Sequence, residues 1–142
     1  MKMGLRIVAL FLAMAMCSCL APQNTQMVVV DSSEWSQRTQ IDVANSDTLS
    51  LRNISVAVRT NSRFKSTTLP LKIEVLTPDG RIFSEEYSLS VPSAEGAKIV
   101  SQSVALPYRN DVVLSMSGRY IFVLTPLVPI KGVEAVGVVI ND

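Results

Sequence analysis

The sequence predicts an all-β protein: a single antiparallel β-sandwich, immunoglobulin-like or jelly-roll-like, that follows a lipoprotein signal peptide. From residue 26 onward the apolar residues recur with a period of two rather than 3.6, and valine, isoleucine and threonine are frequent, as in β-strands. Turn residues separate the strands at regular spacing, and no amphipathic helix intervenes, which favours a sandwich. A chain of 142 residues has the length of one domain, which is on the order of 100–200 residues.

Residues 1–18 have the layout of a bacterial lipoprotein signal peptide. Two cations precede an apolar run of ten residues, 7–16, which is about half the length that a membrane-spanning helix needs. The small residue Ser18 stands directly before Cys19, as in a lipobox. Cys19 is therefore the predicted lipidation site and the first residue after cleavage, with Cys17 as the alternative site.

This reading divides the rest of the chain into a lipidated tether, residues 19–26, and the sandwich, residues 27–142. The acyl chains would anchor the protein to a membrane without a basic patch. After cleavage before Cys19 no further cysteine remains, so the sandwich must be held by its core alone.

The first strands are predicted from short apolar and alternating segments. Residues 27–30 and 39–44 form two strands, and residues 45–47 form the turn after the second. A third strand spans residues 49–60, and its apolar parity switches around residues 52–53. We expect a bulge or a strand break at that point.

A β-hairpin is the clearest local feature of the sequence. After a polar loop, residues 61–68, that carries Phe64, an alternating strand covers residues 69–76. The Thr-Pro-Asp-Gly segment 77–80 has the residue types of a tight reversal, and the return strand covers residues 81–91.

Three more strands complete the predicted sandwich. They cover residues 98–106, 118–125 and 133–140, and the segments 107–110 and 126–132 separate them. The result is about eight strands, as expected for a sandwich of this size.

The composition excludes several functional classes. The chain has no histidine, so histidine-based hydrolases and histidine metal sites are absent. The 13 Lys+Arg and 12 Asp+Glu give a net charge of +1 without a basic tract, so no nucleic-acid partner is expected. Glu85 and Glu86 are adjacent on a strand and face opposite sides, which excludes a paired acid and base. We expect no enzyme, cofactor or metal.

A few residues are candidates for binding or modification. Trp35, Phe64 and Tyr108 can form contact aromatics for a sugar or peptide, or can pack in the core. Residues 47–49, Asp-Thr-Leu, resemble the short O-glycosylation sequon of exported Bacteroidetes proteins, with Thr48 as the acceptor.

Taken together, the chain resembles the gliding motility lipoprotein GldH family of Bacteroidetes. The similarity covers residues 27–141 and rests on the order of its elements: an early Trp35, residues 53–61, the turn at 77–80, residues 120–122 and the closing segment 130–140. The Gly-Val-x-x-Val-Gly-Val pattern in the closing segment is its most specific piece. Family members usually carry a Gly/Trp-containing segment after the hairpin, where this chain has residues 93–98.

The resemblance implies a non-catalytic, lipid-anchored scaffold or assembly factor of the outer membrane. Its implied partners are other envelope proteins of the gliding or type IX secretion apparatus. The tether has no acidic residue of the kind that surface-exported lipoproteins of Bacteroidetes tend to carry, which favours the periplasmic face. The alternative function is a glycan- or peptide-binding lipoprotein of a nutrient-uptake system.

Overall fold

A computed structural model describes residues 26–92 and 101–142, and the predicted signal peptide with Cys17, and the tether from Cys19 to residue 25, lie outside these residues. Eight strands are present: β1 (Gln26–Val29), β2 (Thr39–Asn45), β3 (Leu51–Asn61), β4 (Thr68–Leu76), β5 (Ile82–Ser90), β6 (Ser101–Val113), β7 (Gly118–Pro126) and β8 (Val133–Asn141). Within the two described ranges there is no helix of the length and apolarity that a membrane crossing requires.

The strands form two four-stranded antiparallel sheets that pack against each other, which confirms the predicted sandwich. One sheet has the order β1-β8-β3-β6 and the other β2-β7-β4-β5. The chain crosses between the sheets at every connection except the β4–β5 hairpin. This order is that of a jelly roll and decides between the two predicted sandwich types.

Alternation along the strands builds the core between the two sheets. In β2 and in the first half of β4, every second side chain is buried and its neighbours are more exposed. The core side chains include Ile41, Val56, Val58, Leu69, Leu71, Ile73, Phe122, Leu124, Val136 and Val138. Each fully buried aliphatic side chain contributes about 1.5–3 kcal/mol relative to an exposed one.

The sandwich has two ends, which we name after one residue at each. The β2–β3, β4–β5 and β6–β7 connections lie at the Pro78 end, where Leu51 pairs with Val113. The β1–β2, β3–β4 and β7–β8 connections lie at the Trp35 end, where Trp35 forms a backbone bridge with Ile130.

The predicted β4–β5 hairpin is confirmed. The N–H of Gly80 donates to the carbonyl of Thr77 at 2.9 Å, and the N–H of Thr77 donates to the carbonyl of Arg81 at the same distance. Gly80 has a φ of +85°, which glycine adopts without steric cost.

The predicted end of the sixth strand is wrong. Residues 107–110 were expected to separate two strands, but β6 continues through them to Val113. Proline has no N–H to donate to a neighbouring strand. Because β6 is the edge of its sheet, it pairs only with β3, and Pro107 removes no hydrogen bond to a second strand. Residues 98–100 of that prediction lie outside the described residues.

The expected irregularity near residues 52–53 is present in the β3–β6 pairing. From the Arg52–Val112 pair to the Ile54–Arg109 pair, β6 advances three residues while β3 advances two, and one further residue of β6 is extra before the Ser55–Pro107 pair. The extra residues are therefore on β6 and form two bulges. Asn53 supports the first one, because its Oδ1 accepts the N–H of Asp111 at 3.1 Å.

Candidate functional site

A cleft of about 560 Å³ opens at the Pro78 end between the edge strands β5 and β6. Its apolar lining comes from both sheets and includes Ile54, Ile73, Val75, Val112, Tyr120 and Phe122. Its polar lining includes Glu85 from β5 and the pair Tyr108 and Arg109 from β6. The volume lies in the range of small-molecule sites, roughly 300–1,000 Å³.

Three residues that line this cleft, Glu85, Tyr108 and Arg109, form with the neighbouring Tyr87 what we call the bridging cluster. The Glu85 carboxylate accepts hydrogen bonds from the Tyr108 hydroxyl and the Arg109 guanidinium. The guanidinium carbon of Arg109 lies 4.5 Å from the centre of the Tyr108 ring and 5.7 Å from that of Tyr87. The two rings meet edge to face with centres 5.6 Å apart.

The bulge in β6 explains how two consecutive residues reach the same carboxylate. Neighbouring residues on a regular strand point to opposite faces. Tyr108 is the extra residue between the Ile54–Arg109 and Ser55–Pro107 pairs, so the alternation is interrupted there. Both side chains can then contact Glu85 on the opposite sheet.

The electrostatics of the bridging cluster keep Glu85 charged and Tyr108 neutral. The hydrogen bond from Tyr108, and then the hydrogen bond and charge of Arg109, lower the pKa of Glu85 although partial burial opposes them. Burial, followed by the hydrogen bond to Glu85, raises the pKa of Tyr108. The cluster therefore joins the two sheets and offers aromatic faces for stacking, but it holds no group poised to accept a proton at neutral pH.

We expect the contribution of Glu85 to stability to disappear in acid. A carboxyl whose folded pKa is lowered stabilises the fold above its unfolded pKa, near 4.5, and loses that contribution as the pH falls through the folded pKa. Glu85→Gln should therefore lower the urea midpoint at pH 7 and lower it less at pH 3. The measurement is a pair of urea titrations at each pH. An equal loss at both values would show that the charge of Glu85 contributes nothing.

Trp35, one of the three predicted contact aromatics, is a core residue. Its side chain is 2% exposed, and its Nε1–H donates to the Oγ1 of Thr39 at 3.2 Å. Its backbone exchanges two hydrogen bonds with Ile130, which fixes the ring beneath the β7–β8 connection. Of the two alternatives for Trp35, packing in the core agrees with this burial, because a fully packed ring has no face to offer a ligand.

The structure does not bring Phe64 and Tyr108 together either. Phe64 is half-buried in the β3–β4 connection at the Trp35 end and packs against the core. Tyr108 is at the Pro78 end, and its aromatic neighbour is Tyr87. Tyr87 shares the inner face of β5 with Glu85, but its contact with β6 depends on the packing of the two sheets.

Thr48 lies in the β2–β3 connection and is half-buried. The preceding Asp47 carboxylate accepts the N–H groups of Leu49 and Ser50, each at 3.1 Å. A hydrogen bond from the Ser50 hydroxyl, followed by these two backbone bonds, lowers the pKa of Asp47 to about 2. O-glycosylation of Thr48 stays a prediction, as does lipidation at Cys19 or Cys17.

Neither a group of metal ligands among the described residues nor a similar protein bears on the function of this site. Among the residues that the structure describes, no three or more His, Cys, Asp or Glu side chains form a group able to hold a metal ion. No family model matches the chain, and no curated protein matches it.

Proposed function

We propose that this chain is a non-catalytic outer-membrane lipoprotein that acts as an envelope scaffold or assembly factor and binds a partner protein by strand addition at β5. The resemblance to the GldH family suggests partners in the gliding or type IX secretion apparatus. The observation that carries the proposed mode of binding is the unprotected edge of β5. A partner segment in extended conformation would continue the sheet there through backbone hydrogen bonds.

The edge strands of the described sheets differ in how well they are protected. β6 carries Pro107 and two bulges, devices that discourage pairing with another chain. β1 and β2 are short, with four and seven residues. β5 has nine residues in unbroken register with β4, and all of them except Glu85 and Leu89 are exposed. It is the edge most open to a partner strand.

The backbone groups of β5 that face outward follow from its pairing with β4. The Pro70 carbonyl accepts the N–H of Leu127 at 3.1 Å, so Pro70 directs its backbone away from β5. Pro70 is the register partner of Ser88, which therefore belongs to a pair without hydrogen bonds. The N–H and C=O of Ser88, and of every second residue along β5, point to the free edge.

Ser88→Pro tests this edge because it removes an outward N–H without removing a ladder bond. Crosslinked pull-downs of the tagged protein from native envelopes would compare the wild type, Ser88→Pro, Ser88→Ala and Cys19→Ala by mass spectrometry. We expect one set of envelope proteins with the wild type and with Ser88→Ala, which keeps the N–H. Ser88→Pro should lose this set while its circular dichroism and Trp35 emission remain unchanged, and Cys19→Ala should lose it with the anchor.

The pull-down can contradict the proposal in two ways. Equal recovery by Ser88→Pro and Ser88→Ala would exclude strand addition at β5. Recovery of nutrient-uptake porins and glycan-binding lipoproteins in place of gliding or secretion components would exclude the scaffold and favour the second candidate.

The second candidate is a glycan- or peptide-binding lipoprotein of a nutrient-uptake system, and the cleft beside the bridging cluster favours it. Tyr87 is 37% exposed, and the neighbouring Tyr108 ring lines the cleft, so a sugar or a peptide has aromatic surface to contact there. Tyr87→Ala should then abolish ligand recovery while Ser88→Pro retains it, the reverse of the pattern expected for the scaffold.

A further inference from the structure

Five exposed apolar side chains lie at the Pro78 end, and we call them the apolar rim. Their exposed fractions are 87% for Leu49, 59% for Leu51, 64% for Ile82, 57% for Phe83 and 43% for Val113. Leu51 and Val113 are register partners, and Val113 and Phe83 both line the cleft, so the rim extends across both sheets. Clustered apolar surface of this kind marks a site of interaction with a protein or a membrane.

The direction of β1 connects the apolar rim with the predicted lipid. β1 runs antiparallel to β8, pairing Gln26 with Val138 and Val29 with Ala135. β8 ends at Asn141, at the Pro78 end, so the chain comes into β1 from that side. Three residues separate Val138 from Asn141, a distance of about 10 Å along a strand.

The length of the tether limits how far the sandwich can lie from the bilayer. Gln26 is seven positions after Cys19, and a fully extended chain of that length spans at most about 25 Å. About 10 Å of this length is needed for the chain to extend from Gln26 to the level of the Pro78 end. That end is therefore the part of the sandwich closest to the lipid along the direction of the chain.

From these two observations we propose that the apolar rim docks on the phospholipid bilayer and holds the sandwich with its Pro78 end against the membrane. This inference rests on the proposed lipidation of Cys19. Two cations near the rim are paired with carboxylates, since Arg81 contacts Asp79 at 2.8 Å and Arg52 contacts Asp47 at 3.6 Å and Asp142 at 3.4 Å. Docking is accordingly apolar, and it depends little on salt or on the fraction of anionic lipid.

Docking leaves the proposed partner edge accessible. Ser88 is five residues along β5 from Phe83, about 17 Å from the rim. A glycan on Thr48, by contrast, would separate its neighbour Leu49 from the lipid. Docking and the O-glycosylation that the sequon suggests therefore exclude each other, and a peptide mass that includes a glycan at Thr48 would overturn docking.

Depth-dependent quenching tests the orientation with the full lipidated protein. Leu49→Cys places a single thiol in the rim, and Val128→Cys places one in the β7–β8 connection at the Trp35 end, where Val128 is also exposed. Each variant is labelled with bimane and reconstituted into phosphatidylethanolamine and phosphatidylglycerol vesicles, with or without lipids brominated near the glycerol. The wild type is the labelling control, because with Cys19 lipidated it should take up no bimane.

We expect the label at position 49 to lose about half or more of its emission, since interfacial segments lie roughly 5–10 Å below the headgroup boundary. The label at position 128 should lose none. Quenching at 128 instead of 49 would reverse the orientation, and quenching at neither would overturn docking. If the label at position 49 is protected from solvent in native envelopes but is not quenched in the vesicles, this end binds a protein and not lipid.

Flotation of the same samples separates this inference from the proposed function. Flotation without quenching at position 49 would leave the lipid anchor in place and overturn docking alone. Failure of the wild type to float would overturn both, since docking rests on the anchor. Trp35 emission identical to the wild type serves as the fold control for both variants.

Discussion

Gly132→Ala should destabilise the sandwich by about 4 kcal/mol, an exceptionally large effect for the addition of one methyl group. Gly132 has a φ of +86°, and a Cβ added there would lie 2.2 Å from the backbone nitrogen of Phe64 and 2.7 Å from the carbonyl carbon of Arg63. The backbone of Gly132 also bonds to Ser32 and Asn61, so it joins the β1–β2 and β3–β4 connections. The added Cβ would therefore clash with the backbone of residues 63 and 64, and Gly132 cannot move away easily because it is hydrogen-bonded on both sides.

Gly80→Ala is the matched control for this substitution. Gly80 has almost the same φ, +85°, but nothing lies within 4 Å of an added Cβ. It should cost only the conformational strain, about 1–2 kcal/mol. Urea denaturation followed by Trp35 emission measures both variants. Similar losses would mean that the β3–β4 connection moves aside and that the close approach to Phe64 is not a constraint.

Trp35→Ala should cost about 3–5 kcal/mol because it removes the largest buried side chain of the core. The ring lies beneath the β7–β8 connection, where Trp35 and Ile130 exchange backbone hydrogen bonds, and truncation leaves a cavity at that end. Trp35→Phe keeps most of the packing and loses the hydrogen bond to Thr39, so about 1–2 kcal/mol is expected.

Circular dichroism must follow the denaturation of both Trp35 variants, because they lack the only tryptophan of the chain. The same samples should bind envelope partners like the wild type at temperatures where they remain folded. A Trp35→Ala variant of unchanged stability that fails to bind would restore Trp35 as a contact residue and contradict its assignment to the core.

Local sequence patterns were sufficient for most of the strands. The alternation in residues 69–76 and the Thr-Pro-Asp-Gly turn are local properties, and the hairpin lies where they predict it. The same reasoning failed at residues 107–110, where proline and polar residues suggested a break. An edge strand tolerates proline because one of its sides needs no hydrogen bonds, and edge position depends on the order of the whole sheet.

The candidate site was predicted only in part. Tyr108 was named from its residue type, but Glu85 and Arg109 were not expected to contact it. They come from β5 and β6, which lie in different sheets, and 21 positions separate Tyr87 from Tyr108 in the chain. The bulge that directs both Tyr108 and Arg109 to the same carboxylate could not be predicted either, because it depends on how β6 pairs with β3.

Local patterns predict most of the strands, the hairpin turn and the all-β class, because side-chain alternation and turn conformations depend on residues a few positions apart. The jelly-roll order, the burial of Trp35, the bridging cluster and the position of the apolar rim at the end from which the chain enters β1 follow only from the folded structure. These features depend on contacts between distant segments. Which segments come into contact depends on how the two sheets pack, and this cannot be predicted from residues a few positions apart.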